Sequence, residues 1–175
     1  MRPVDPCGLK RALLINDLSC FGKCSLSVSL PILSAYGVEA VPLPTAVLST
    51  HTSGFTGYAS VDMTEVLRRF PAHWAQLGLR FDCIAVGYCT SAEQLRLAAA
   101  LIRSLADEHT LVVHGAGDVF TSALCGELLR EKALLEALQR AANFCRRCIK
   151  ETEKRQPGHW YGLAFEPALK GIWYE

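Results

Sequence analysis

Phe81-Asp82-Cys83-Ile84-Ala85-Val86-Gly87 is the stretch whose reading decides the fold class. Phe81 to Val86 reads as an apolar run bounded by Gly87. That is the signature of a strand buried on both faces of a parallel sheet. Upstream, Arg11-Ala12-Leu13-Leu14-Ile15-Asn16 reads as another buried strand. Val38 to Leu43 reads as a third, with Pro42 and Pro44 pushing the chain into extended or loop geometry. Downstream, His109 to Val113 reads as a fourth. The segments between them have helical spacing. Leu26, Leu30 and Leu33 mark a helix over 24–36, which Pro31 should kink and Gly37 should stop. Asp62-x-x-Glu65 and Ser91-x-x-Gln94 resemble capping boxes. The first opens a helix through Phe70 that Pro71 restarts. The second opens one that buries Leu95, Ala98, Ile102 and Leu105. A further helix should run from near Gly117 to about Arg130. The last should carry Leu134, Leu138, Ala141, Cys145 and Cys148 on one face. Strands alternating with helices predict an α/β fold with a mostly parallel sheet flanked by helices.

The 175 residues suit one domain, and 50% hydrophobic with 20% charged residues is a globular composition. A net charge of +1 offers no field for nucleic acid or an anionic membrane surface. No apolar stretch is long enough to span a bilayer, and Met1 to Pro6 has no apolar signal core, so a cytoplasmic location is expected. The eight cysteines read as reduced thiols acting as small hydrophobes. Cys20-x-x-x-Cys24 and Cys145-x-x-Cys148 have spacings that zinc would accept, but no bound zinc is expected.

Ligands of parallel α/β sheets sit beyond the carboxyl ends of the strands. Three polar loops fall there: 16–23, 45–57 and 114–118. In His114-Gly115-Ala116-Gly117-Asp118, the glycines let backbone approach an anion, and the loop opens into a helix whose N–H groups point at it. Asp118, in the first turn, is placed to accept a proton from a hydroxyl attacking a phosphoryl group. The same residues would also serve as an ordinary strand–turn–helix junction. His51, between Thr50 and Thr52, could stack on a polar aromatic ligand or be a solvated loop histidine. Asp17 is open between turn former and ligand contact, and Lys23 between phosphate contact and solvated cation. The cluster Arg146, Arg147, Lys150, Lys154 and Arg155, interleaved with glutamates, reads as a solvated helix face.

Together, Ile15 to Gly22, Pro42 to Thr52 and Gly115 to Asp118 resemble the pyridoxal/pyridoxamine kinases of the ribokinase superfamily. Phe165-Glu166-Pro167-Ala168-Leu169 resembles the family's tail. The resemblance implies a single ribokinase-like domain. Residues 10–113 would form a vitamer-binding part, and 114–175 would carry the Gly-rich motif. It implies phosphorylation of the 5′-hydroxymethyl group of a B6 vitamer, with ATP and Mg2+. Asp118 matches the catalytic base, and Gly115, Ala116 and Gly117 match the anion hole. His51 and Thr52 match ring contacts, Asp17 falls where many members have a ring-contacting Ser, and Ala46 and Tyr88 fall at pocket-lining positions.

The sequence departs from the family at one junction. Val113 is followed at once by the Gly-rich motif, so roughly a hundred residues are absent against a family-sized domain. By resemblance, these carry the acidic metal-site residues and most of the adenine pocket. Weak or absent turnover is therefore expected. An exposed sheet edge and apolar helix faces are expected too, and with them a homodimer or other self-association. The competing readings are a hydroxymethylpyrimidine kinase of the same superfamily, a non-catalytic remnant binding a vitamer or partner subunit, and a zinc-dependent module.

Overall fold

A computed structural model of the chain describes residues 8–114, 117–155 and 162–173. Its central strand is β1 (Arg11–Phe21), whose alternating side chains enter two separate cores. Ala12 and Leu14 face one side, and Leu13 and Ile15 the other, all 4% exposed or less. This period of two with both faces buried is why the segment reads as continuously apolar.

The other strands are β2 (Glu39–Thr50), β3 (Ser60–Asp62), β4 (Cys83–Val86) and β5 (Leu111–His114). They form one sheet in the order β3-β2-β1-β4-β5, parallel except for β3. The helices are α1 (Leu26–Ala35), α2 (Thr64–Gln76), α3 (Ala92–Leu105), α4 (Asp118–Leu129), α5 (Leu134–Glu153) and a short α6 (Glu166–Leu169), followed by a 3-10 turn over Lys170–Trp173. α1, α4, α5 and the tail cover one face around Phe144, Cys148 and Phe165. α2 and α3 cover the other around Leu67, Phe81 and Leu101. Among the described residues, no helix is long and apolar enough to cross a membrane.

Several sequence expectations shift. The polar stretches 16–23 and 45–57 are in large part strand, because β1 runs on to Phe21 and β2 to Thr50. Pro42 and Pro44 are tolerated in β2 because β3 pairs only with Ala46 to Leu48, leaving the outer side of that stretch without a described partner. α1 continues through Pro31 and α2 through Pro71. α2 starts at Thr64, whose N–H donates to the Asp62 carboxylate at 2.8 Å, so Asp62 ends β3 rather than opening a box. α3 buries Gln94, Ala98, Leu101 and Leu105, leaving Leu95 54% exposed. α5 buries Ala137, Ala141, Phe144, Cys148 and Thr152 and turns Leu134 outward. In both helices a buried polar residue, Gln94 or Thr152, holds a place that an apolar count gives to a leucine.

Tyr36 joins α1 to α4. Its ring lies under the Arg130 guanidinium, 4.8 Å from the centroid, and over Gly126, where a Cβ would come within 2.4 Å. Burial, then the Glu127 carboxylate, pushes its phenol well above the ordinary tyrosine value. Burial, then Cys145, pushes the Cys148 thiol up to about 12. The folded chain therefore holds both protons at a pH where the unfolded chain releases them. The stability this confers is complete below pH 9 and is lost as pH rises above the ordinary values of 9.0 and 10.0. Urea midpoints are expected to fall between pH 9 and 11, and Tyr36→Phe to flatten the part of that fall above pH 10. An equal slope in Tyr36→Phe would refute the assignment to Tyr36.

Candidate functional site

β4 pairs with β1 only from Ala12 to Ile15, whereas β2 follows β1 to Phe21. Past Ile15, the two longer strands continue as a ribbon beyond the sheet. Chain order reverses at β1, with β2 on one side and β4 on the other, so this is the crevice where α/β sheets bind ligands.

Asn16 occupies the crevice and is 7% exposed. Its Oδ1 accepts from the N–H of Asp17 at 3.0 Å and of Tyr88 at 2.7 Å. Its Nδ2 donates to Asp118 Oδ1 at 3.0 Å. One side chain thus ties β1, the loop after β4 and the start of α4. Gly87 makes this possible, since a Cβ there would come within 2.4 Å of Asn16 Cγ.

The next residue, Asp17, is 4% exposed. The β1–β2 register slips here, so that Asp17 faces both Thr45 and Ala46, and such a bulge re-aims side chains. The Asp17 carboxylate accepts from the hydroxyls of Ser19, at 2.8 Å, and Ser25. Asp17, Ser19, Lys23, Cys24, Ser25, Leu48, His51, Thr52, Ser53, Tyr88 and Gly162 line a cleft of about 400 Å³. This is a volume suited to a small organic ligand. An open groove of about 940 Å³ along α5 is larger, but it lies on the far side of α5 from the sheet and away from these convergent polar groups.

His51 closes one end of the cleft. Its Nδ1 accepts from the Ser53 N–H at 3.2 Å, which leaves the neutral ring its proton on Nε2. The ring meets Phe55 edge-on at 4.8 Å. Gly22, at φ 100, leaves room for it, as a Cβ would fall 2.1 Å from His51 Cδ2. Lys23 closes the other end. Its ammonium pairs with Glu166 and lies 5.5 Å from the Phe165 ring centroid. Through this clamp the tail becomes part of the wall. Burial raises the Cys24 thiol above its ordinary value, with Asp17 and Asp118 adding to the shift, so Cys24 is a protonated lining group.

Asp118 stands at the same end of the sheet, one residue behind the cleft. Its Oδ2 accepts from the Ser25 N–H at 2.6 Å, so Ser25 is the shared wall. Asp118 itself lines a cavity of only about 30 Å³ with Asn16, Gly87 and Thr121. It begins α4 and also meets the N-terminal end of α1, two places where a helix dipole favours negative charge. Gly117 precedes it at φ 69, a conformation that glycine adopts freely. Gly115 and Ala116 lie outside the described residues.

Of the residues singled out from sequence, the structure gathers Asp17, His51, Thr52 and Tyr88 in one cleft and places Asp118 next to it. Ala46 does not line the cleft. It is 1% exposed in β2, opposite Asp17 in the bulge. Asn16, Ser19, Ser25 and Gln94 were missed as site residues. Gln94, fully buried, accepts from the Thr90 N–H and donates to the Thr45 carbonyl, each at 2.8 Å, and so holds the Tyr88 loop against β2. Its capping bond to Ser91 explains only its backbone. Cys20 is exposed and Cys148 buried. Among the described residues, no group of three or more His, Cys, Asp or Glu could hold a metal ion.

No protein-family model and no curated protein matches the sequence. Solved structures do. A crystal structure from Bacteroides thetaiotaomicron, described as a phosphomethylpyrimidine kinase, overlays with a TM-score of 0.87 at 21% identity, covering 94% of each chain. Pyridoxal kinase from Lactobacillus plantarum overlays with a TM-score of 0.83 at 20% identity, covering 95% of this chain and 97% of that one. The chain has the pyridoxal kinase fold. Pyridoxal kinase from Leishmania donovani overlays less completely, with a TM-score of 0.51 at 21% identity, and 55% of this chain spans 34% of that one. At these identities the likeness is one of fold.

The Asn16–Gly87 contact predicts a coupled pair. Gly87→Ala should destabilise the chain by about 1–3 kcal/mol through overpacking. Combined with Asn16→Ala, it should cost clearly less than the sum of the two single changes. Urea unfolding of the four proteins measures this, and strict additivity would refute the contact.

Proposed function

We propose that the chain is a vitamin B6 kinase in architecture and chemistry, acting in the cytoplasm. The cleft takes pyridoxal or pyridoxamine, with His51 and Thr52 beside the ring and Asp17 as a buried acceptor. The supporting observation is the convergence of Asp118, held by Asn16 and Ser25, with that cleft at the carboxyl end of the sheet. The Bacteroides protein, which shares the fold, was crystallised with pyridoxal, and a Staphylococcus aureus pyridoxal kinase with AMP-PCP. These likenesses favour a vitamer ring over the zinc module considered from sequence.

Asp118 is the group to receive the 5′-hydroxyl proton. Each of its oxygens accepts one protein hydrogen bond, so lone pairs remain on both for the incoming proton. The hydroxyl oxygen would bond to the γ-phosphorus of ATP as the bond to ADP breaks. Gly117 and the first turn of α4 are suited to the phosphoryl oxygens, and Gly115 and Ala116 are assigned there by resemblance. Magnesium, which would neutralise phosphate charge, does not fit the described residues. They hold no group of three or more His, Cys, Asp or Glu that could take a metal ion. No step is assigned to it. The cavity at Asp118 has the volume of about one water molecule, not of a nucleotide. This favours a second reading, in which the chain binds a vitamer and turns it over slowly or not at all.

A coupled assay with pyridoxal, ATP and magnesium, run beside a titration of pyridoxal alone, separates the readings. Turnover is expected well below the roughly 1–100 s⁻¹ usual for kinases. Asp118→Ala should lower it by about 10²–10⁴-fold without abolishing pyridoxal binding. Undiminished turnover in Asp118→Ala would overturn the kinase reading, and absence of pyridoxal binding would overturn both. Faster turnover of hydroxymethylpyrimidine than of pyridoxal would shift the assignment within the superfamily.

Self-association belongs to the same proposal. Leu134 and Leu135 of α5 are 62% and 81% exposed, and Val112 on β5 is 40% exposed. Light scattering should show a mass that grows with concentration, and Leu135→Glu should reduce it. A monomer at all concentrations would refute this.

A further inference from the structure

Ser25 has φ 54 and ψ −137, a conformation that glycine adopts freely and a residue with a Cβ does not. Such strain persists only where the surroundings over-determine it. Two carboxylates do so here. The Ser25 hydroxyl donates to Asp17 Oδ1, and its N–H donates to Asp118 Oδ2 at 2.6 Å. At the N-cap of α1 a serine hydroxyl ordinarily accepts from the first turn of its own helix. This one makes no such bond; it is committed to Asp17 instead. Ser25 also lines the cleft, so it stands between the cleft and Asp118.

We propose that Ser25 is a positioning residue that couples the ligand cleft to Asp118. The hydroxyl bond to Asp17 holds the Ser25 backbone at positive φ, and that backbone aims its N–H at Asp118 Oδ2. The role rests on the reading of Asp118 as the base. Asn16 fixes one carboxylate oxygen and Ser25 the other, so the rotation of the carboxylate is set from β1 and α1 rather than by α4 alone.

Two substitutions separate the backbone from the hydroxyl. Ser25→Ala loses the bond to Asp17 and keeps the Cβ, so the backbone should relax and withdraw its N–H from Asp118. Ser25→Gly loses the same bond but holds the conformation without strain, so the N–H should stay. Amide hydrogen exchange at position 25, followed by NMR in the full chain, should be at least tenfold faster in Ser25→Ala than in Ser25→Gly. In steady-state assays KM for pyridoxal should change alike in the two variants, whereas kcat should fall at least tenfold further in Ser25→Ala. Equal exchange rates, or equal kcat losses, would overturn the proposal, because the hydroxyl and not the backbone would then matter. If the wild-type chain phosphorylates no vitamer, the kinase reading fails, and the exchange comparison still decides the coupling.

Discussion

The side-chain amide of Asn16 is the constraint on which the site depends. A buried amide must satisfy both its donor and its acceptor, and here each bond reaches a different element. Oδ1 holds the Tyr88 N–H of the loop after β4, and Nδ2 holds Asp118 at the start of α4. Neither element could shift without leaving a buried polar group unpaired, which costs more than the bond itself contributes. Gly87 enforces the arrangement from the other side, since any Cβ there would displace the amide. The place of Asp118 is thus set by packing and hydrogen bonding that begin on β1, about a hundred residues earlier in the chain.

Asp17 adds a second constraint of a different kind. A buried carboxylate needs partners, and here they are hydroxyls rather than cations. The ammonium nearest the cleft, Lys23, is engaged by Glu166. The described groups that bond the Asp17 carboxylate are thus the two hydroxyls. Ser25 stands between the two carboxylates and bonds to both, and its strained backbone is held by them together.

The parallel α/β architecture was legible because β1 and β4 bury both faces, and such strands leave an uninterrupted apolar run that no alternative pattern explains. The helix start at Asp118 was legible because glycines mark the passage from strand to helix. Asn16, Ser25 and Gln94 were not legible as site residues. Their roles depend on bonds to distant residues, 72 and 102 positions away for Asn16, 93 for Ser25 and 49 for Gln94, and no local period encodes such bonds. Two signals were available in retrospect. One is an Asn at the end of a buried strand, and the other is a glycine, Gly87, directly after a neighbouring strand. The orientation of α5 failed for a related reason. Thr152 is buried because its hydroxyl accepts the Ala164 N–H at 2.8 Å and donates to the Cys148 carbonyl at 2.7 Å. A tail contact thus adds Thr152 to the inward face that Ala141, Phe144 and Cys148 form.

The two halves of the site differ in how completely they are built. The cleft has a bulge, a glycine that admits His51, a buried carboxylate and a tail clamped by Lys23. The Asp118 side has an oriented carboxylate and a helix start, and α4 follows β5 within a few residues of sequence. That short passage leaves β5 at the edge of the sheet, paired with β4 alone among the described residues. Binding of a ring needs only the first half, and transfer of a phosphoryl group needs both. On the proposed reading, affinity for a vitamer and turnover of it are therefore separable, because the first needs only the cleft.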